Sequence, residues 1–276
     1  MKNQTKVKLG ELTNNLEFSV ELNYKLSSRD AESPWLILIH GLFGSADNLA
    51  GVKRHFEKSH NIISIDLPDH GESPRTDGFN VNHAAEAVYQ LIKKHHINQT
   101  AVLGHSLGGK VAMRLALNHG DVISHLIVAD IAPVSYNHSH QSVFDGLKAV
   151  PLDKIESRKD AEAAMSVFVK EPGVSQFLLK SLYQDEKGHW AWRFNVDGLI
   201  ASYSHIIDWE QTDQQFSGVT LFIKGSESDY ITPAYRDDIT RYFPKAKAHI
   251  IEGTGHWLHA EKPAAFNAIV ERTLTK

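Results

Sequence analysis

Residues 101–113 read AVLGHSLGGKVAM. An apolar run stops at Gly104-His105-Ser106-Leu107-Gly108 and resumes with the spacing of a helix. A short continuous apolar run reads as a strand buried on both faces, as in a parallel sheet covered by helices. Ser106 then stands at a tight turn from strand into helix. Such a turn strains the serine backbone, and only small residues two before and two after it avoid a clash. Gly-x-Ser-x-Gly is that steric requirement written in sequence. A serine hydroxyl is a weak nucleophile on its own, so the turn is useful only if a base and a set of charge-stabilising donors stand beside it.

Outward from this stretch, residues 35–39, 62–65 and 125–129 share its texture, each short, apolar and rich in branched side chains. Helical patterns at 47–59, 81–95 and 107–118 lie between them, the second opening at Asn80 or Asn82 as cap. Strands alternating with helices predict a parallel sheet with right-handed crossovers. Upstream, residues 7–12 and 16–26 alternate apolar with polar, as half-exposed antiparallel strands do. After Asp130 the rhythm stops. From about 133 to 216 there are helical segments, such as 161–170 and 174–184, and no buried strand. The alternation returns at 219–223, 234–242, 249–252 and 263–273. The expectation is an α/β fold with a mostly parallel sheet flanked by helices. Residues 1–133 and 217–276 would form its core, and 134–216 a helical cap inserted after the strand ending near Asp130.

Composition narrows the function. The chain has 276 residues, enough for a substantial core, and a formal charge of −4 with acids and bases interspersed. With no basic stripe, nucleic acid is an unsuitable partner. The absence of cysteine excludes disulfides and thiolate metal sites. The first fifteen residues lack the apolar core of a signal peptide, and no run is long enough to span a bilayer, so a soluble cytoplasmic protein is expected. There are 17 histidines, so histidine as such proves nothing. Most, including His95, His96, His138 and His140, are expected at the surface.

His256 differs from the rest. It follows the last strand in Gly253-Thr254-Gly255-His256-Trp257, on a loop short enough to hold an imidazole at the carboxyl edge of the sheet. Reactive groups of such sheets collect at that edge. An acyl-transfer site also needs two donors for the developing oxyanion. The N–H of Leu107, at the head of its helix, suits the first. The second is expected from Leu42, in His40-Gly41-Leu42-Phe43-Gly44-Ser45, which follows the strand at 35–39 directly.

Together the His-Gly loop, the Gly-x-Ser-x-Gly turn and the late Gly-His resemble the α/β-hydrolase family over essentially the whole chain. The stretches HGLFGSADNL, GHSLGGK, DIAPVSY, QFLLKS, WRFNV and GHWLHAEKP are similar to the YbfF-type bacterial esterases within it. The resemblance implies hydrolysis of a small acyl ester or thioester under a helical cap, with no cofactor and no metal. Ser106 would be acylated, with His256 as base. Phe43, Phe144, Phe168, Phe177, Phe194 and Trp257 are candidates for an apolar lining. A carbon–carbon hydrolase or lyase of the same fold would use the same serine and histidine. A non-catalytic binding protein is the remaining alternative. Dehalogenases and epoxide hydrolases of this fold carry aspartate at the turn, which Ser106 argues against.

The acid needs a choice. The family most often places it after the strand at 219–223, where the usual position, counted from Gly225, falls on Ser228; Asp229 comes one residue late. Asp130 instead ends the strand at 125–129. A carboxylate at the end of a buried strand is costly unless a partner such as a histidine N–H compensates it. Asp130 is therefore the expected acid, with Ser228 as an auxiliary hydrogen-bonding group and Asp229 as the reserve. The loop at 66–73 is expected to be structural, with Glu72 and Ser73 as caps.

Overall fold

The computed structural model describes residues 20–137 and 139–275. The strand expected at 7–12, the first part of 16–26 and His138 lie outside them. Among the described residues, seven strands form one sheet: β1 (Tyr24–Ser27), β2 (Trp35–Ile39), β3 (Asn61–Ile65), β4 (Thr100–His105), β5 (Ile123–Ala129), β8 (Val219–Gly225) and β9 (Lys247–Ile251). Their order is β1-β3-β2-β4-β5-β8-β9. Only β1 runs antiparallel, against β3; the other pairings are parallel. The expected mostly parallel sheet is present, and β4 stands at its centre.

Alternate residues of the central strands feed two cores. Leu36 and Leu38 join Val52 and Phe56 of the helix Ala50–Phe56, and Phe266, Ile269 and Val270 of the helix Pro263–Leu274. Ile37 and Ile39 join Val88 and Leu91 of the helix Val81–Lys94, and Val111 and Leu115 of the helix Leu107–Asn118. This two-sided burial is why these strands read as unbroken apolar runs. Asn80 is the cap of Val81–Lys94: its side-chain oxygen accepts from the N–H groups of Asn82 and His83. Residues 107–117 are buried on every side, so the helix after Ser106 is central rather than amphipathic.

Between β5 and β8 stand the helices Gln141–Ala149, Arg158–Met165, Pro172–Leu179, Val196–Ala201 and Tyr203–Ile207. Here the structure departs from expectation. The second predicted helix ends at Leu179, and Leu182–Gln184 forms a strand, β6, paired antiparallel with β7 (Trp190–Trp192). Asp185 closes the ribbon by accepting from the N–H groups of Lys187 and His189. In the loop at 66–73, Ser73 Oγ donates to the Asp66 carbonyl and accepts from Asn23 N–H. Glu72 is no cap; its carboxylate pairs with Arg193.

Candidate active site

Ser106 follows β4 directly with φ 53° and ψ −122°, a conformation that costs a non-glycine residue about 1–3 kcal/mol. Its neighbours explain how the strain is held. Ser106 N–H donates to the Ala129 carbonyl, and its own carbonyl accepts from Gly109 and Lys110. A Cβ on Gly104 would sit 2.1 Å from the Gly108 oxygen, and one on Gly108 would sit 2.3 Å from the Ile39 oxygen. Both glycines of the motif are therefore obligatory. Within residues 101–116, Ser106 is the one residue not buried.

β5 lies beside β4 and is followed directly by Asp130, which also has positive φ, 56°, and no solvent exposure. Its N–H donates to the Ile223 carbonyl. The carboxylate accepts from three donors. His256 Nδ1–H reaches Oδ2 at 2.7 Å, Ser228 Oγ–H reaches the same oxygen, and Gly225 N–H reaches Oδ1 at 3.2 Å. Three donors offset what would otherwise be a prohibitive buried charge. Asp229, the reserve acid, is exposed.

His256 is held from several sides. His105 Nε2–H donates to the His256 carbonyl at 2.8 Å. The Tyr230 ring stacks on the imidazole at 4.1 Å and 22°. Tyr230 is fixed in turn, because its carbonyl accepts from Tyr136 Oη, which itself accepts from Ala132 N–H. With Nδ1–H committed to Asp130, a neutral His256 ring presents Nε2 as an acceptor. Ser106 and His256 line the same cleft.

Leu42 and Leu107 stand beside Ser106, each lining a cavity with it. The first N–H of a helix has no intrahelical acceptor, so that of Leu107 is available. The Leu42 loop is braced by His40, whose Nδ1–H donates to the Gly41 carbonyl and whose Nε2 accepts from Leu67 N–H. Burial pushes the His40 pKa down, which suits this neutral role. His40, His70 and His105 are buried and His259 is half-buried, while the other described histidines are half-buried or exposed; burial lowers the pKa of His259 to about 4 and of His70 to about 3. His105 and Tyr230 were not singled out from sequence. His105 alone carried a signal, standing next to the nucleophile within the motif.

The expected lining is partly redrawn. Phe43, Phe177 and Trp257 line the cleft, with Phe177 and Trp257 in contact at 5.9 Å. Phe144 and Phe194 are buried behind it, packed against Phe43 at 6.0 and 5.1 Å. Phe168 lines neither cavity beside Ser106 and is 39% exposed, because its helix ends at Met165 and leaves it on the outer surface. Among the described residues, no group of three or more His, Asp or Glu side chains is arranged to hold a metal ion, and no helix is long and apolar enough to cross a membrane.

The geometry has counterparts. Residues 36–269 match the model of the alpha/beta hydrolase family. The chain belongs to that family. As an α/β hydrolase it is of the esterase/lipase type, and its relatives say so by name. It is 41% identical over 240 residues to Esterase YbfF of Escherichia coli K12, covering 87% of this chain and 92% of the other. It is 34% identical over 253 residues to the sn-1-specific diacylglycerol lipase ABHD11 of Mus musculus, covering 89% and 82%. Among solved structures, a marine microorganism esterase superimposes with a TM-score of 0.89 at 32% identity, covering 92% of this chain and all of that one.

Proposed function

We propose that this α/β hydrolase is a serine esterase that cleaves short acyl esters or thioesters through an acyl-enzyme on Ser106. His256 takes the Ser106 proton as the hydroxyl oxygen attacks the carbonyl carbon, and returns it to the leaving oxygen or sulfur. A water, deprotonated by the same ring, then releases the acid. Asp130 fixes the Nδ1–H tautomer and stabilises the imidazolium, with Ser228 holding the carboxylate. The Leu42 and Leu107 N–H groups receive the oxyanion. The observation that carries this reading is the 2.7 Å contact of His256 Nδ1 with the buried Asp130 carboxylate, beside a serine held at φ 53°.

Residues 134–216 would act as the cap, a reading supported by Val143, Phe177, Ser181 and Arg193 lining the same cleft as Ser106. The carbon–carbon hydrolase alternative calls for cationic groups over a carboxylated substrate. The two cations that line the cleft do not favour it. Lys180 is exposed, and Arg193 is paired with Glu72 and stacked over Tyr183.

Ser106→Ala is the direct test, with p-nitrophenyl acetate and butyrate turnover measured beside the circular dichroism spectrum. Turnover should fall by about 10³-fold or more with the spectrum unchanged. Undiminished turnover in the folded variant overturns the assignment.

A further inference from the structure

Ser106 lies where two cavities of very different size meet. One is a cleft of about 720 Å³ whose lining includes Phe43, Phe177, His256 and Trp257. The other is a narrow pocket of about 40 Å³ whose walls include Leu107, Lys110, Ile131, Tyr203, Ile206 and Ile207. Leu42, Ser106, His140 and Tyr230 line both. His256 lines the cleft and not the pocket.

The chemistry of acyl transfer tells the two apart. One bond forms, from Ser106 Oγ to the carbonyl carbon, and one breaks, from that carbon to the leaving oxygen or sulfur. The proton lost by Ser106 passes through His256 to the leaving atom, so that atom must lie within hydrogen-bond reach of the imidazole. The leaving half of the substrate is therefore directed into the cleft that His256 lines. The acyl chain, attached to the same carbon, points the other way.

On this basis we infer that the narrow pocket receives the acyl chain and limits it to a few carbons, while the large cleft takes the alcohol or thiol half with little restriction on size. This rests on the serine-esterase reading above. A volume of about 40 Å³ is only a few times the ~10–15 Å³ that one water needs, which leaves room for a chain of no more than a few carbons. Leu107, Ile131, Ile206 and Ile207 make the walls apolar. Lys110 presents no free N–H to them, and burial pulls its pKa down to about 7. Nζ donates to the carbonyls of Ile206, Ile207 and Asp208 at 3.4, 2.7 and 2.8 Å. That grip also fixes the wall. Lys110 belongs to the helix that begins after the nucleophile, so the Ile206–Ile207 segment is tied to the element that carries Ser106. The pocket is thus built for a short, uncharged acyl chain.

The test is a panel of p-nitrophenyl esters from acetate to decanoate, together with methyl and naphthyl butyrate, on the wild-type chain, Ile207→Ala and Phe177→Ala. Wild-type kcat/KM should peak at or below butyrate and fall about 10-fold or more by octanoate, since each group that cannot enter the pocket has a large effect. Ile207 is half-buried. Its truncation should raise hexanoate over butyrate about 5-fold or more, leaving the methyl-to-naphthyl ratio where it was. Phe177→Ala should shift that ratio and leave the acyl profile in place. Ile207→Val serves if Ile207→Ala does not fold, with a smaller shift in the same direction.

A flat wild-type profile through decanoate overturns the inference. So does an Ile207 variant that changes alcohol preference instead of acyl range. Fluorophosphonate labelling separates the two levels of failure. Labelling that survives in Ser106→Ala, or is absent from the wild type, defeats the serine reading itself; labelling confined to Ser106 with a flat profile defeats the pocket assignment alone.

Discussion

Asp130 is the residue on which most of the local structure converges: a fully buried carboxylate, at positive φ, with three donors around it. On the proposed mechanism Asp130→Asn removes the charge that holds the His256 tautomer and balances its protonated form. kcat for a single ester should drop about 10³–10⁴-fold. Asp229→Asn, at the exposed neighbouring position, should stay within about 2-fold of wild type. Equal losses in the two variants would refute Asp130 as the acid. Ser228→Ala takes one charge-assisted hydrogen bond from the carboxylate, and a fall in kcat of about 10-fold is expected, with KM little changed. Much of this centre was legible before any coordinates. Asp130 could be read because a charge ending a buried strand needs a partner, and Ser228 because the count from Gly225 lands on it. The grip of His105 on the His256 carbonyl and the stacking of Tyr230 could not, since they join residues 151 and 26 positions apart through tertiary packing alone.

At the scale of elements, the helix Leu107–Asn118 shows how one substitution can have opposite signs. In Gly108→Ala the new Cβ falls 2.3 Å from the Ile39 oxygen and 2.4 Å from the His40 oxygen, both backbone atoms that cannot step aside. The helix would have to move off the sheet and take Ser106 with it. Loss of about 3 kcal/mol or more, or failure to fold, is expected. Gly51 lies in the exposed face of Ala50–Phe56, with nothing within 4 Å of its would-be Cβ. Gly51→Ala should stabilise by about 0.5–1 kcal/mol, read as a higher melting temperature. A stabilised Gly108 variant would contradict the packing described. The buried strands and their helices were readable because each is a single apolar run with a clear edge. The ribbon at 182–192 was not. Phe177, Leu178, Leu179 and Leu182 keep an apolar spacing that continues smoothly from the preceding helix, and the strand forms only because β7 returns to pair with it.

Across the whole molecule, desolvated histidines set the response to acid. His40, His70, His105 and His259 have their pKa values lowered by burial, to about 3 for His70 and about 4 for His259. In the unfolded chain each takes up a proton near the ordinary value of 6.5. Between about pH 6.5 and the lowered value, the unfolded chain therefore binds more protons than the folded one. Stability is fully present above that window and falls through it as the pH drops, by about 1.4 kcal/mol per pH unit for each such histidine. His259 offers the clean dissection. Its ring is packed against His105 and Phe266, and among the described residues its buried Nδ1 has no hydrogen-bond partner. His259→Leu should therefore keep the fold at neutral pH while removing one proton from the balance. Urea unfolding at about pH 7 and about pH 5 should show a marked loss for wild type and a loss smaller by about 2 kcal/mol for the variant. The same loss in both proteins would mean that His259 is charged in the native state. The neutral histidine cluster behind His256 would then have to be abandoned as the source of acid sensitivity.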